Sequence, residues 1–348
     1  MMKLDLLGDR LDGAGVKIGL IDSGCDHTHP LLRHVVQGVE VVDPARPSGW
    51  AVDPIGLGTH CAGIIAAGDR SRAQGIIGFA PGAEMHILKV LPGGRASDLI
   101  AALDVCIERQ LDVAQISVSG SRISELLALN LAEARQKGVA CIVAAGSSGG
   151  LAQFPAMTAG ALAVSALGKL GEFPPDTFHA QTGFGQPIGA DGLFTPRFSN
   201  PAPQIAVSAP GVAIVSTVPG GGYAACDGTF VAAAHVTGFA AVLLAHHPLF
   251  QSVYRTRGEH RVAALFDMIR ATSDPSRLGA MASDFQWGPK WTQPALHAGP
   301  DAAETTAAGT NSGELGMQPW RQVGPAAPWP FLARPDPVFL QLRAMGMI

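Results

Sequence analysis

The side chains best placed for chemistry stand where apolar runs stop. "VKIGLIDSG" (16–24) ends in Asp22, "DVAQISVSG" (112–120) in Ser117 and Ser119, and "VACIVAAGSSGG" (139–150) in Ser147. A carboxylate leaving a buried strand needs a hydrogen-bond partner. His60 lies in the small-residue run "GLGTHCAGIIAAG" (56–68), and imidazole is the side chain that most readily moves a proton near neutral pH. A plainer reading stands beside this one. Asp22 can cap the following turn, and His60 can be a satisfied core histidine at a helix start.

The elements that must position these residues follow from periodicity. Apolar runs at 16–24, 84–91, 112–120, 139–150 and 161–168 read as buried strands. Between them, 58–68, 97–110 and 123–138 carry helical spacing, with Ser97 or Asp98 as the N-cap of the second. Strands alternating with helices of these lengths predict βαβ units and a mostly parallel sheet. Ligands of such sheets sit beyond the carboxyl ends of the strands. Asp22, Ser119 and Ser147 are the residues found there. The stretch 169–200 reads as a long loop or small hairpin, followed by short strands in "IAVSAPG" and "AIVSTVPGGG" and helices over 231–247 and 258–272. The division is a domain over 1–292 and a Pro/Gly/Ala-rich extension over 293–348, whose end "DPVFLQLRAMGMI" is apolar enough to dock.

Composition narrows the class. Hydrophobic residues make up 47% of 348 and charged residues 15%, enough for a large core. The formal charge of −4, without a basic stripe, argues against nucleic acid. No charge-free apolar run reaches membrane-spanning length; the best candidate, 231–245, is short and contains His235. Five cysteines without paired short spacing suggest reduced core thiols and no zinc site. With no apolar leader before the first strand, the expected location is cytoplasmic.

Three blocks together resemble the Asp, His and Ser signatures of the subtilases, the subtilisin-like serine proteases: "IGLIDSGCDHTHPLL", "GLGTHCAGIIAAG" and "DGTFVAAAHVTGFAAVLL". Their order and spacing fit, and the resemblance covers residues 12 to 292. It implies an α/β fold of the subtilisin-like three-layer αβα type. It also implies that Asp22 accepts a hydrogen bond from His60 and holds it in the catalytic tautomer. The strips near Leu91 and Gly93, and Ser117, Val118, Ser119 and Gly120, with Ala145 and Gly146, are then the peptide-binding edges, working by β-augmentation.

Two positions depart from the family pattern. Phe230 stands where the nucleophilic serine belongs, and a phenyl ring cannot form an acyl-enzyme. Its ring is expected to fill the space beside His60 where a scissile carbonyl would sit. Ser147 stands where an oxyanion-hole asparagine belongs. Losing such a donor costs on the order of 10²–10³ in rate and losing the serine on the order of 10⁶, both values established on subtilisin itself. The serine loss dominates.

The expectation is a catalytically inactive homologue that binds a peptide or protein. Two alternatives remain. One is an active peptide-processing enzyme using Asp22 and His60 with Ser147, or a water, in place of the lost nucleophile; Ser148 and Cys226 are weaker candidates. The other is a structural partner of another enzyme, in a hetero- or homo-oligomer, with Trp320, Trp329, Phe331 and Phe339 as anchors. The chain starts close to the first core strand, without the pro-segment usual in secreted subtilases, so peptide natural-product maturation inside the cell is the expected setting. No cofactor is expected. Calcium comes with the family, but no acidic loop marks a site.

Overall fold

The computed structural model describes residues 11–68, 76–183, 192–200 and 205–271. The extension 293–348, with its four aromatic residues and its apolar end, lies outside the described residues.

The central layer is an eight-stranded sheet. Strands β1 (Lys17–Asp22), β2 (Gln37–Glu40), β3 (Glu84–Lys89), β4 (Val113–Ile116), β5 (Ala140–Ala144), β6 (Ala161–Lys169) and β8 (Ile205–Pro210) pair in parallel in the order β2-β3-β1-β4-β5-β6-β8. The short β7 (Leu193–Phe194) pairs antiparallel with the end of β6. A separate antiparallel hairpin, β9 (Ile214–Val218) and β10 (Gly222–Cys226), stands apart from the sheet.

Both faces of the sheet are covered, which explains why its strands are continuous apolar runs rather than alternating ones. Successive side chains point to opposite faces. Ile18 and Leu20 of β1 therefore pack in the core beneath α1 (Leu57–Ala66), α5 (Thr229–His246) and α7 (Glu259–Ala271). Ile21 enters the other core, with Leu103 of α2 (Ala96–Glu108) and Leu131 of α3 (Glu125–Gln136). This is the three-layer αβα arrangement expected from the sequence. The remaining helices, α4 (Phe178–Gly183) and α6 (Pro248–Gln251), are short.

Several expectations need correction. The second helix starts earlier than expected: Arg95 is its N-cap, and Asp98 occupies the third position, accepting from the Arg95 backbone N–H at 3.1 Å in a capping box. The 169–200 stretch carries α4 and then β7, which returns antiparallel to the end of β6. β2 (QGVE) has a single apolar residue and β10 (GYAAC) has no alternation, so neither announces itself. Helix α5 spans 18 residues with a mean hydropathy of 1.6, long and apolar enough to cross a membrane, but 83% of it is buried inside the fold. It is a core helix. All five cysteines are unpaired, four of them buried.

Candidate active site

β1, β4 and β5 lie side by side, so their carboxyl ends bring Asp22, Ser117 and the 145–150 loop to one edge of the sheet. Helices α1 and α5 complete the site from one face, carrying His60 and Phe230 near their N-termini.

The first turn of helix α1 is held from two sides. Asp53 is buried, and its carboxylate accepts the backbone N–H groups of Gly56 and Thr59 at 2.8 Å each, supplying the cap that Gly56 cannot. It also accepts the hydroxyls of Ser23, 2.7 Å, and Thr59, 2.6 Å. On the opposite side, Ser216 and Thr217 of β9 donate to the carbonyls of His60 and Thr59 at 2.8 and 2.7 Å. This approach requires Gly63, because a Cβ there would stand 2.2 Å from Thr217 Oγ1 and 2.3 Å from Ser216 Oγ.

The docked hairpin sets the state of the imidazole. His60 Nε2 lies 3.0 Å from the carbonyl oxygen of Ile214 and 3.2 Å from that of Ala224. Both partners are pure acceptors, so Nε2 carries the hydrogen and Nδ1 holds the lone pair. Nδ1 has no hydrogen-bond partner, and neither has Oδ2 of Asp22. Asp22 Oδ1 accepts from the Ser23 backbone N–H at 2.7 Å. The expected Asp22–His60 hydrogen bond is therefore not formed. The tautomer is the reverse of the one a triad needs, with hydrogen on the nitrogen that should receive the nucleophile's proton.

Burial dominates the electrostatics. Both residues are fully buried. Desolvation pushes the Asp22 carboxyl up to about 6, with the nearby Asp53 charge adding and the Ser117 and Ser23 hydrogen-bond donors opposing. Desolvation pulls His60 down to about 4 against the favourable pull of the Ala224 and Ile214 carbonyls. At neutral pH the imidazole is neutral.

Phe230 is half-buried against the core, and its carbonyl accepts from Gln115 Nε2 at 3.2 Å and from the Cys61 thiol at 3.7 Å. Its ring turns back over Gly228, where a Cβ would lie 2.2 Å from the ring's Cε1. The ring thus packs on its own helix entry, a placement the sequence did not suggest.

Ser147 acts on the same turn. Its Oγ accepts the Thr229 backbone N–H at 3.1 Å and lies 3.2 Å from the Thr229 hydroxyl. Thr229 Oγ1 in turn accepts the Gly146 N–H at 3.1 Å. Gly228, the N-cap of α5, offers no side chain, so Ser147 satisfies one of the orphan donors of this helix from a distant loop. Its hydroxyl is bonded to Thr229 and not to His60. Burial also raises the Cys61 thiol and pushes that of Cys226 up to about 12, the opposite of nucleophile activation.

The predicted peptide-binding strips do come together. A Cβ on Gly94 would stand 3.1 Å from Leu91 Cδ2 and 3.2 Å from Val118 Cγ1, so the 91–94 turn rests on the 117–120 strip. Gly93 is exposed within that turn. Much of the surrounding backbone is already used. Leu91 and Ser117 donate to the carbonyls of Asp22 and Ile21. Gly120 exchanges both bonds with Phe154, at 2.8 and 3.0 Å. Ala145 bonds Val164 and Gln153, and the Gly146 carbonyl accepts from Asn200. Ser119 places its hydroxyl on Gln153, 3.0 Å away. Among the described residues, the main-chain groups of Val118 and Ser119 have no hydrogen-bond partner.

Asn200 is a site residue that sequence reasoning missed. It is fully buried, and its Oδ1 accepts from the Ser148 and Gly150 backbone N–H groups at 3.0 and 3.1 Å, clamping the loop that holds Ser147. A lone asparagine in a Pro-flanked loop carried no signal of that role. Asp53 had a faint one, lying three residues before a helix-opening glycine.

An αβα sandwich with an Asp at the end of β1, a His in the helix beneath and a Gly-Thr turn opening a buried helix has the architecture of a subtilisin-like serine peptidase. The comparisons agree. The Subtilase family profile matches residues 13–272. Subtilisin E of Bacillus subtilis (strain 168) is 33% identical over 241 residues, 68% of this chain and 57% of that protein. Subtilisin Savinase of Lederbergia lenta is 34% identical over 247 residues, 70% of this chain and 81% of that protein. A cold adapted subtilisin-like serine proteinase of known structure superposes with a TM-score of 0.59 at 24% identity, covering 78% of this chain and 86% of its own, a likeness of fold. The chain belongs to the subtilase family. It spans little more than half the length of Subtilisin E. Among the described residues, no three His, Cys, Asp or Glu side chains group together as a metal-binding cluster.

Proposed function

We propose that this chain is a non-hydrolytic subtilase that holds an extended segment of a peptide or protein partner. The observation that carries the reading is the bond from His60 Nε2 to the Ile214 and Ala224 carbonyls. Held as a donor to two carbonyls, Nε2 is not free to serve as general base to Ser147 or to a water. The loss at position 230 and the engagement of Ser147 with Thr229 point the same way. Retention of binding is supported by the unpaired main-chain groups of Val118 and Ser119, which offer an edge to an added strand. Five unpaired cysteines support work in a reducing compartment such as the cytoplasm.

The test has two arms. Wild type and His60→Ala are assayed on a panel of peptide and ester substrates, and on binding of an extended peptide library. The reading expects no turnover from either protein and retained binding in both. Turnover by the wild type that vanishes with His60 would establish an active enzyme instead.

A further inference from the structure

The β9–β10 hairpin that binds His60 is itself fastened at its open end. Ile214 and Cys226 form its last rung. Ala213 precedes that rung and Asp227 follows it. The Ala213 backbone N–H donates to Asp227 Oδ1 at 2.6 Å, closing the end. The same oxygen accepts from His179 Nδ1 at 2.7 Å. The other oxygen, Oδ2, is buried without a partner, so the hydrogen bonding of Asp227 is concentrated on this closure. His179 lies on α4, and its neighbour Ala180 shares a small core with Phe173, Phe194 and Val212. Helix α4 is thus packed beside the turn that it fastens.

The turn is strained. Ala213 has φ +55, a left-handed conformation unfavourable for alanine. Such a residue persists only where its surroundings over-determine it. Asp227 supplies that determination, and the pair is shielded from water, with the His179 and Asp227 side chains 18% and 13% exposed. The next residue, Ile214, carries the carbonyl 3.0 Å from His60 Nε2. A path of contacts therefore runs from α4 through Asp227 and Ala213 to the imidazole.

We propose that Asp227, steadied by His179, is the latch of the locked site: it holds Ala213 left-handed and so keeps the Ile214 carbonyl on His60. Both are positioning residues that act on His60 through the backbone. The latch rests on the reading that His60 is locked as a donor. When the latch is removed, Ser216 and Thr217 still hold the hairpin on α1. The change is then confined to the open end, where Ala213 relaxes and Nε2 loses its shorter bond. The Nδ1–H tautomer gains.

The experiment is ¹⁵N NMR of the histidine side chains in the full chain, which reads the tautomer of His60 directly. Wild type is expected in the Nε2–H form. In Asp227→Ala the ratio of Nδ1–H to Nε2–H should rise about tenfold, the factor that relief of one left-handed alanine supplies. His179→Ala, the milder change, should move it the same way by at least about twofold, and decides the matter where Asp227→Ala does not fold. Ala213→Gly relieves the strain beforehand, so in that background Asp227→Ala should move the ratio far less. A ratio unmoved in either folded variant, or moved equally with and without Ala213→Gly, overturns the latch alone. A wild type already in the Nδ1–H form overturns the locked-site reading and the latch with it.

Discussion

His60 Nε2 sits 3.0 Å from the carbonyl oxygen of Ile214, a bond that turns the family's proton acceptor into a structural donor. With Ala224 as the second acceptor, the imidazole straps α1 to the β9–β10 hairpin. This contact and the missing serine together decide what the site can do.

Restoring the serine should therefore restore little. In Phe230→Ser the new hydroxyl meets an imidazole in the wrong tautomer and no oxyanion asparagine. A reversed tautomer alone costs on the order of 10⁴ in rate. Peptide hydrolysis by Phe230→Ser is expected to stay at background. A burst of acyl-enzyme with an active-site titrant would show that the strap yields readily.

The Phe230 ring and Gly228 should be energetically coupled. Gly228→Ala places a methyl group 2.2 Å from ring carbon Cε1, and overpacking of this kind costs about 1–3 kcal/mol. In a Phe230→Ala background the clash component should vanish, while the backbone strain of a side chain at φ +159 remains. A double-mutant cycle by urea denaturation measures the difference; additive effects would place the ring elsewhere.

Ser147→Ala should weaken the entry to α5. It removes the acceptor of the Thr229 N–H, and loss of such a cap costs about 1 kcal/mol. Ser147→Ala should lower stability by that amount and leave peptide binding intact. A catalytic role would instead appear as lost turnover at unchanged stability.

The pH dependence of stability carries opposing signs. His60 and His235 are each pulled down to about 4 by burial. Between an unfolded value of about 6.5 and that level the unfolded state binds protons the folded one refuses, so acidification destabilises. Asp22, held at about 6, does the reverse: the folded state keeps a proton that the unfolded state releases. Its contribution is lost as pH rises through 6. Two histidines outweigh one aspartate, and net stability should fall from pH 6 to 4. Asp22→Asn removes the opposing group. It should gain up to about 3 kcal/mol over wild type at pH 7, with the gain gone by pH 4. Denaturation at both values checks the sign; a loss at pH 7 would mean the charged carboxylate has a partner.

Asn200→Ala should loosen the 145–150 loop without touching the core. Leaving the Ser148 and Gly150 N–H groups unpaired costs about 1–3 kcal/mol if water cannot reach them. Faster amide exchange at 147–150 than at β5 would show the clamp directly.

Most of the fold was legible because its signals are local. Runs such as "VKIGLID" and "ACIVA" read as strands covered on both faces, and α2 and α3 between them have amphipathic spacing. The motif blocks placed Asp22, His60, Ser147 and Phe230 in the sequence, and the sheet order put three of the corresponding segments side by side. The β9–β10 hairpin was half seen, since "GYAAC" is short, rich in small residues and lacks the alternation that marks a strand. Asn200 and Asp53 were missed because a buried polar residue is recognised by its partners, which lie in other segments.

From the sequence alone came the sheet, its coverings, the family and the absence of a nucleophile, since each depends on residue type or short-range pattern. Tertiary structure alone decided which nitrogen of His60 carries the hydrogen, where the Phe230 ring packs and what Ser147 holds. The His60 and Ser147 outcomes turn on contacts between segments more than 80 residues apart. A hydrogen bond of about 3 Å is set by the packing of whole elements, and no local rule reaches that far.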